Sequence, residues 1–96
     1  MTTYFITRHP GAKQWAKQQG IKVDIQPTHF DPEQTQAGDT IIGTLPVNLI
    51  AKVCERGGRY LHLSLDLPAE ARGKELTPED MNQYNARLEE YRAVKL

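Results

Sequence analysis

Ninety-six residues make one domain near the lower end of the usual size range, with little surface to spare for a deep pocket and its walls. Twelve basic residues balance twelve acidic ones, and that neutrality argues against a general DNA or RNA binder, which would carry a basic face. Cys54 is the only cysteine, no apolar run approaches the roughly 20 residues of a membrane span, and the N-terminus lacks a basic-then-apolar secretory pattern. The expectation is a soluble cytoplasmic protein with no disulfide, no cysteine metal cluster and no membrane partner.

In chain order, Tyr4-Phe5-Ile6 reads as a first strand. Pro10 to Gln19 reads as a helix with Ala12, Trp15, Ala16 and Gln19 on one face and Gly20 as its stop. Lys22 to Ile25 is a weaker second strand. The polar stretch from Pro27 to Asp39 has no periodicity, but it is long enough for a crossover between parallel strands, which needs about a dozen residues. Thr40 to Gly43 is a third strand, after which Thr44-Leu45-Pro46 opens a second helix. Leu45, Leu49 and Val53 stripe that helix beside Val47, Ile50 and Cys54, so it should be largely buried. Gly57-Gly58 ends it, and Arg59 to Leu65 is the fourth strand.

Thr77, Pro78 and Asp80 then mark a helix start resembling a capping box. Met81, Tyr84, Leu88 and Tyr91 recur by threes and fours, which predicts one long helix over about residues 78–94. The alternation of strands and helices points to an α/β fold: a single small Rossmann-like domain with a mostly parallel sheet of about four strands and helices packed on it.

In such a sheet the C-terminal strand ends share one edge, where ligands bind. Thr7, Arg8 and His9 follow the first strand, and Gly43 and Thr44 follow the third. Ser64 and Asp66 close the fourth, with Arg72 and Lys74 in the loop beyond. Hydroxyls, backbone donors at two helix starts and several cations would meet on one rim able to hold phosphodiesters. Charge supports a small focused anion: from Met1 to Phe30 the four basic residues Arg8, Lys13, Lys17 and Lys22 face Asp24 alone.

Plainer roles compete at each position. His9 can cap a turn, Arg8 can be a solvated cation, and Thr44 can be only an N-cap. His29 fits a surface loop, His62 a satisfied core or interface histidine, and Cys54 a small hydrophobe. The Met81–Tyr91 seam suits core or dimer contact. No P-loop, GxGxxG or HExxH is present, and His9, His29 and His62 show no metal-ligand spacing. No metal or other cofactor is expected, so any phosphodiester cleavage would be metal-independent.

Three long motifs carry a family resemblance: Thr7-Arg8-His9-Pro10-Gly11-Ala12, Gly43-Thr44-Leu45-Pro46-Val47-Asn48, and Tyr60 to Pro68 with its continuation Ala69 to Thr77. Over about Tyr4 to Met81 the chain resembles small CRISPR-associated accessory proteins of the Csx type found with type III systems, a ring-nuclease family. The resemblance implies a Rossmann-like homodimer that degrades a cyclic oligoadenylate messenger, cyclic tetra-adenylate. On the motif positions, Arg8 would stabilise the phosphorane oxygens and His9 would act as acid, base or phosphate donor. Ser64 and Asp66 would orient a ribose, and Arg72 or Lys74 would close over the ring. Backbone N–H groups at Gly11 and at Thr44–Leu45 would hold adjacent phosphates beside Thr7 and Gly43. The competing expectations are a sensor that binds the ring without cutting it and an interaction subunit of a type III CRISPR complex.

Overall fold

The computed structural model describes residues 1–7, 10–27, 29–71, 73 and 75–96. Strands β1 (Thr3–Ile6), β2 (Thr40–Gly43), β3 (Arg59–Ser64) and β4 (Arg87–Tyr91) form one sheet in the order β1-β2-β3-β4. The first three are parallel, and β4 runs antiparallel to β3. Helices α1 (Pro10–Gln18), α2 (Val47–Glu55) and α3 (Pro78–Gln83) pack on the two faces. The α/β architecture read from the alternating pattern is therefore observed.

Strand alternation sorts the side chains into two cores. Phe5, Ile42 and Leu63 join Ala12, Trp15 and Ala16 of α1 and Met81 of α3 on one face. Ile41 and Tyr60 join Ile50 and Val53 of α2 on the other. Central strand β2 is buried from both sides, which explains why Ile41 and Ile42 are adjacent rather than alternating with polar residues. In α1 the small residues Gly11, Ala12 and Ala16 let the helix lie close to its neighbours, and the Trp15 indole N–H donates to Asn82 Oδ1 at 3.2 Å in α3.

The Lys22–Ile25 segment departs from its expected strand. Only Ile25 pairs, as one parallel bridge with Tyr4, on the edge of β1 opposite to β2. The Phe5 N–H donates to Ile25 O, and the Asp24 N–H donates to Thr3 O. Pro27 shortly afterwards has no N–H to extend a ladder. The remnant still fixes the winding. From β1 the chain goes by α1 to this outer edge, then returns past Phe30 on the α2 face to β2, and α2 continues on that face to β3. Connections from β1 and β2 thus leave toward opposite faces of the sheet.

The larger correction is at the C-terminus, where the expected helix over residues 78–94 stops at Gln83. The capping box at its start is as expected: Asp80 N–H donates to Thr77 Oγ1 and Thr77 N–H to Asp80 Oδ2, both at 3.1 Å. Asn85 then adopts a left-handed φ of 58°. Ala86 N–H reaches Met81 O and Asn85 N–H reaches Asn82 O, the paired closure of a Schellman motif. The same closure ends α1 at Gly20 and α2 at Gly57. Beyond Asn85 the chain reverses into β4, which covers the open edge of β3 through five residue pairs. Met81 and Leu88 share the α1 face from a helix and a strand, so their spacing of seven imitated a helical seam.

The left-handed turn is testable. Asn85→Val places a β-branched residue at positive φ and should cost about 1–2 kcal/mol. Asn85→Gly should melt close to the native protein. Equal melting temperatures for native protein and Asn85→Val in a thermal scan would show that the turn does not end the helix as described.

Candidate functional site

A cleft of about 330 Å³ opens at the C-terminal edge of the parallel strands. Ile6 and Thr7 contribute from the end of β1, and Gly43 and Thr44 from the end of β2. Since the chain leaves β1 and β2 toward opposite faces, the cleft lies at the topological switch point, where doubly wound sheets bind ligands. A Cβ on Gly43 would approach Ile6 O to 2.8 Å, so glycine is what lets the two strand ends close together there.

The floor is apolar. Leu63, the last inward leucine of β3, is followed by Leu65 and Leu67 beyond the end of the strand, and both line the cleft. Ala12, Ala71, Leu76 and Met81 complete the apolar wall, while Gly73 and Glu75 bring the β3–α3 connection to its mouth. An apolar slot with a few polar groups at its rim is the usual form of a small-molecule site. A second cavity, about 500 Å³, lies between the outer face of α2 and Ala93–Lys95, away from the strand ends.

The expected rim is gathered in part. Thr7, Gly43 and Thr44 meet in the cleft. Arg8, His9, Arg72 and Lys74 lie outside the described residues. Ser64 and Asp66 are not among the cleft-lining residues, since alternation turns Ser64 away from Leu63 and Leu65. Asp66 Oδ1 accepts from Arg87 at 3.1 Å and Oδ2 from Asn85 at 3.2 Å. Those two partners, Asn85 first, hold the exposed Asp66 carboxyl below its usual range. Gly11 is buried in the first turn of α1, where an added Cβ would run into Leu76 O. The Leu45 N–H, expected to face a phosphate, donates at 2.9 Å to Tyr60 Oη instead.

Thr44 is not the N-cap of α2, which begins at Val47 with Pro46 before it. It stands exposed at the cleft. His29 is exposed, and Cys54 is half-buried against the α2-face core, as expected. His62 is half-buried with Nδ1 2.8 Å from Tyr60 Oη, in keeping with a satisfied histidine.

Two features of the cleft lie outside the expected rim. Glu75 places a carboxylate at the cleft mouth, and nothing in its spacing marked it. The apolar floor did leave a sign: Leu61, Leu63, Leu65 and Leu67 alternate without interruption past the point where the strand stops. Among the described residues no helix is long and apolar enough to cross a membrane.

The family model described as "Putative CRISPR-associated protein (Cas_VVA1548)" matches residues 4–94. No curated protein and no solved structure matches the chain.

Proposed function

The chain belongs to this CRISPR-associated family, and from that premise we propose that it binds a cyclic oligoadenylate at the switch-point cleft and cleaves it. The observation that carries the reading is the cleft itself, a slot with a leucine floor and threonines on its rim, between strand ends that diverge to opposite faces. At about 330 Å³ it sits near the small end of ligand pockets, roughly 300–1,000 Å³. One copy therefore suits part of a ring, and a two-fold dimer would offer the same cleft to each half of cyclic tetra-adenylate.

In the proposed reaction a ribose 2′-oxygen attacks its own 3′-phosphorus in line. The P–O2′ bond forms as the P–O5′ bond breaks; the 2′-hydroxyl gives up its proton and the departing 5′-oxygen gains one. The products are linear, with a 2′,3′-cyclic phosphate and a 5′-hydroxyl. Orienting the attacking oxygen and stabilising charge on the phosphorane are the protein's tasks. Thr7 and Thr44 are placed to position the ligand, and Arg8 and His9, which follow Thr7 in the chain, are assigned to the reacting phosphate.

Binding without cleavage has its own support. Ser64 does not line the cleft, and Asp66 is committed to Arg87 and Asn85. Incubation of the protein with cyclic tetra-adenylate in EDTA separates the readings. Linear tetra-adenylate after one cut, and di-adenylate after a second cut on the opposite side of the ring, each ending in a cyclic phosphate, are the expected products. Intact ring together with tight binding by calorimetry would select the sensor. Neither binding nor cleavage, with co-purification of a CRISPR protein, would select the interaction subunit.

A further inference from the structure

Tyr60 enters the α2-face core from β3 with no side-chain exposure, yet its hydroxyl reaches three polar groups. Gly43 O lies at 2.9 Å, Leu45 N at 2.9 Å and His62 Nδ1 at 2.8 Å. Gly43 O can only accept, and the Leu45 N–H can only donate. The phenol therefore gives its single hydrogen to Gly43 and takes one from Leu45. Its remaining lone pair can accept from His62 in the tautomer that carries its hydrogen on Nδ1. Every capacity of the hydroxyl is then used. Burial, opposed by the Leu45 hydrogen bond, raises the Tyr60 pKa above its ordinary value of 10.0, so the phenol remains a donor under ordinary conditions.

Gly43 and Leu45 flank Thr44, and Thr44 stands exposed on the cleft. One hydroxyl thus grips the backbone on both sides of the residue that β2 presents to the ligand. His62 is in turn backed by the Tyr91 ring, edge-on with centroids 5.9 Å apart, so β4 braces the grip from behind. We propose that Tyr60 is a positioning residue: its hydroxyl, oriented by His62, holds the Gly43–Leu45 turn in the shape that presents Thr44 to the bound ligand. The inference rests on the cleft being the ligand site.

Tyr60→Phe keeps the ring in the core and removes only the grip. Two measurements on this variant decide the matter. By hydrogen exchange, the Leu45 amide should lose protection selectively, because its acceptor is gone, while the amides of α1 keep theirs. By calorimetry, cyclic tetra-adenylate should bind at least about tenfold more weakly, the equivalent of one lost well-placed hydrogen bond. A purely structural role would not produce coupling. Once Thr44→Ala has removed the presented group, adding Tyr60→Phe should cost little further affinity. Val53→Ala, in the same core, supplies the comparison: it should lower the melting temperature while leaving ring affinity near the native value.

Unchanged Leu45 protection in Tyr60→Phe would overturn the proposal. So would additive losses with Thr44→Ala, or an affinity loss no larger than that of Val53→Ala. If the native protein binds no ring at all, the proposed function fails and Tyr60 has no ligand to position. Lost Leu45 protection in Tyr60→Phe then cannot rescue the assignment, so the two failures are told apart by the native protein alone.

Discussion

Gly11→Ala should melt far below the native protein. An alanine Cβ at this position would run into Leu76 O. The obstacle is a backbone carbonyl just before the capped start of α3, so no rotamer change can relieve it. Either α1 withdraws from the sheet or the Leu76–Thr77 segment shifts, and Ala12 and Met81 lose packing in either case. Overpacking of this kind costs about 1–3 kcal/mol, occasionally more. For a domain of this length each kcal/mol shifts the midpoint by roughly 4–8 °C, so a fall of about 4–24 °C is expected. Thermal unfolding followed by circular dichroism measures it. Gly20→Ala is the informative comparison. Its φ of 74° is strained for alanine, but nothing lies within 4 Å of the added carbon, so its loss should be clearly smaller. A Gly11→Ala protein as stable as the native one would mean that α1 does not approach Leu76 as described. Ala12 and Leu76 also line the cleft, so any stable fraction should bind ligand poorly.

Arg8→Ala should abolish ring cleavage while leaving the fold intact. Arg8 follows Thr7, which lines the cleft, and the proposed reaction accumulates negative charge on the non-bridging phosphate oxygens. A fixed cation or donor at that charge is worth roughly 10²–10³ in rate when removed. The measurement pairs single-turnover cleavage of cyclic tetra-adenylate with a melting scan. Lost turnover at an unchanged midpoint supports the assignment. Normal cleavage, at whatever midpoint, removes Arg8 from the mechanism. His9→Ala completes the comparison: a modest loss indicates phosphate positioning, and a loss as large as that of Arg8→Ala indicates proton transfer.

Particular residues show how far the chain could be read before its fold was known. Gly20 and Gly57 announced two helix ends, because glycine takes a left-handed turn without steric cost. Asn85 makes the same turn and passed unnoticed, since asparagine is also common on helix surfaces. Its neighbours Met81 and Leu88 happened to keep a helical spacing. A helix over residues 78–94 leaves no place for β4, for the antiparallel cover of β3 or for the partners of Asp66. At the other end, Lys22–Ile25 has strand-like alternation but forms a single bridge. Nothing in its composition states that only one edge of β1 would receive it.

The candidate site divides along the same line. Local order along the chain was enough to place Thr7, Gly43 and Thr44 at strand ends, and a parallel sheet carries those ends to one edge. The chain by itself therefore determined the α/β class, the first three strands, the start of each helix to within a few residues and the shared edge, because these depend on short-range periodicity and caps. Tertiary structure alone decided which face each connection crosses. That choice opens the cleft between β1 and β2 and sends Leu65 and Leu67 into its floor, while the turn into β4 brings Arg87 and Asn85 to Asp66. It also decided that Leu45 would give its N–H to a tyrosine fifteen residues away rather than to a ligand. Contacts of that range depend on strand order and packing, and neither is written in the spacing of neighbouring residues.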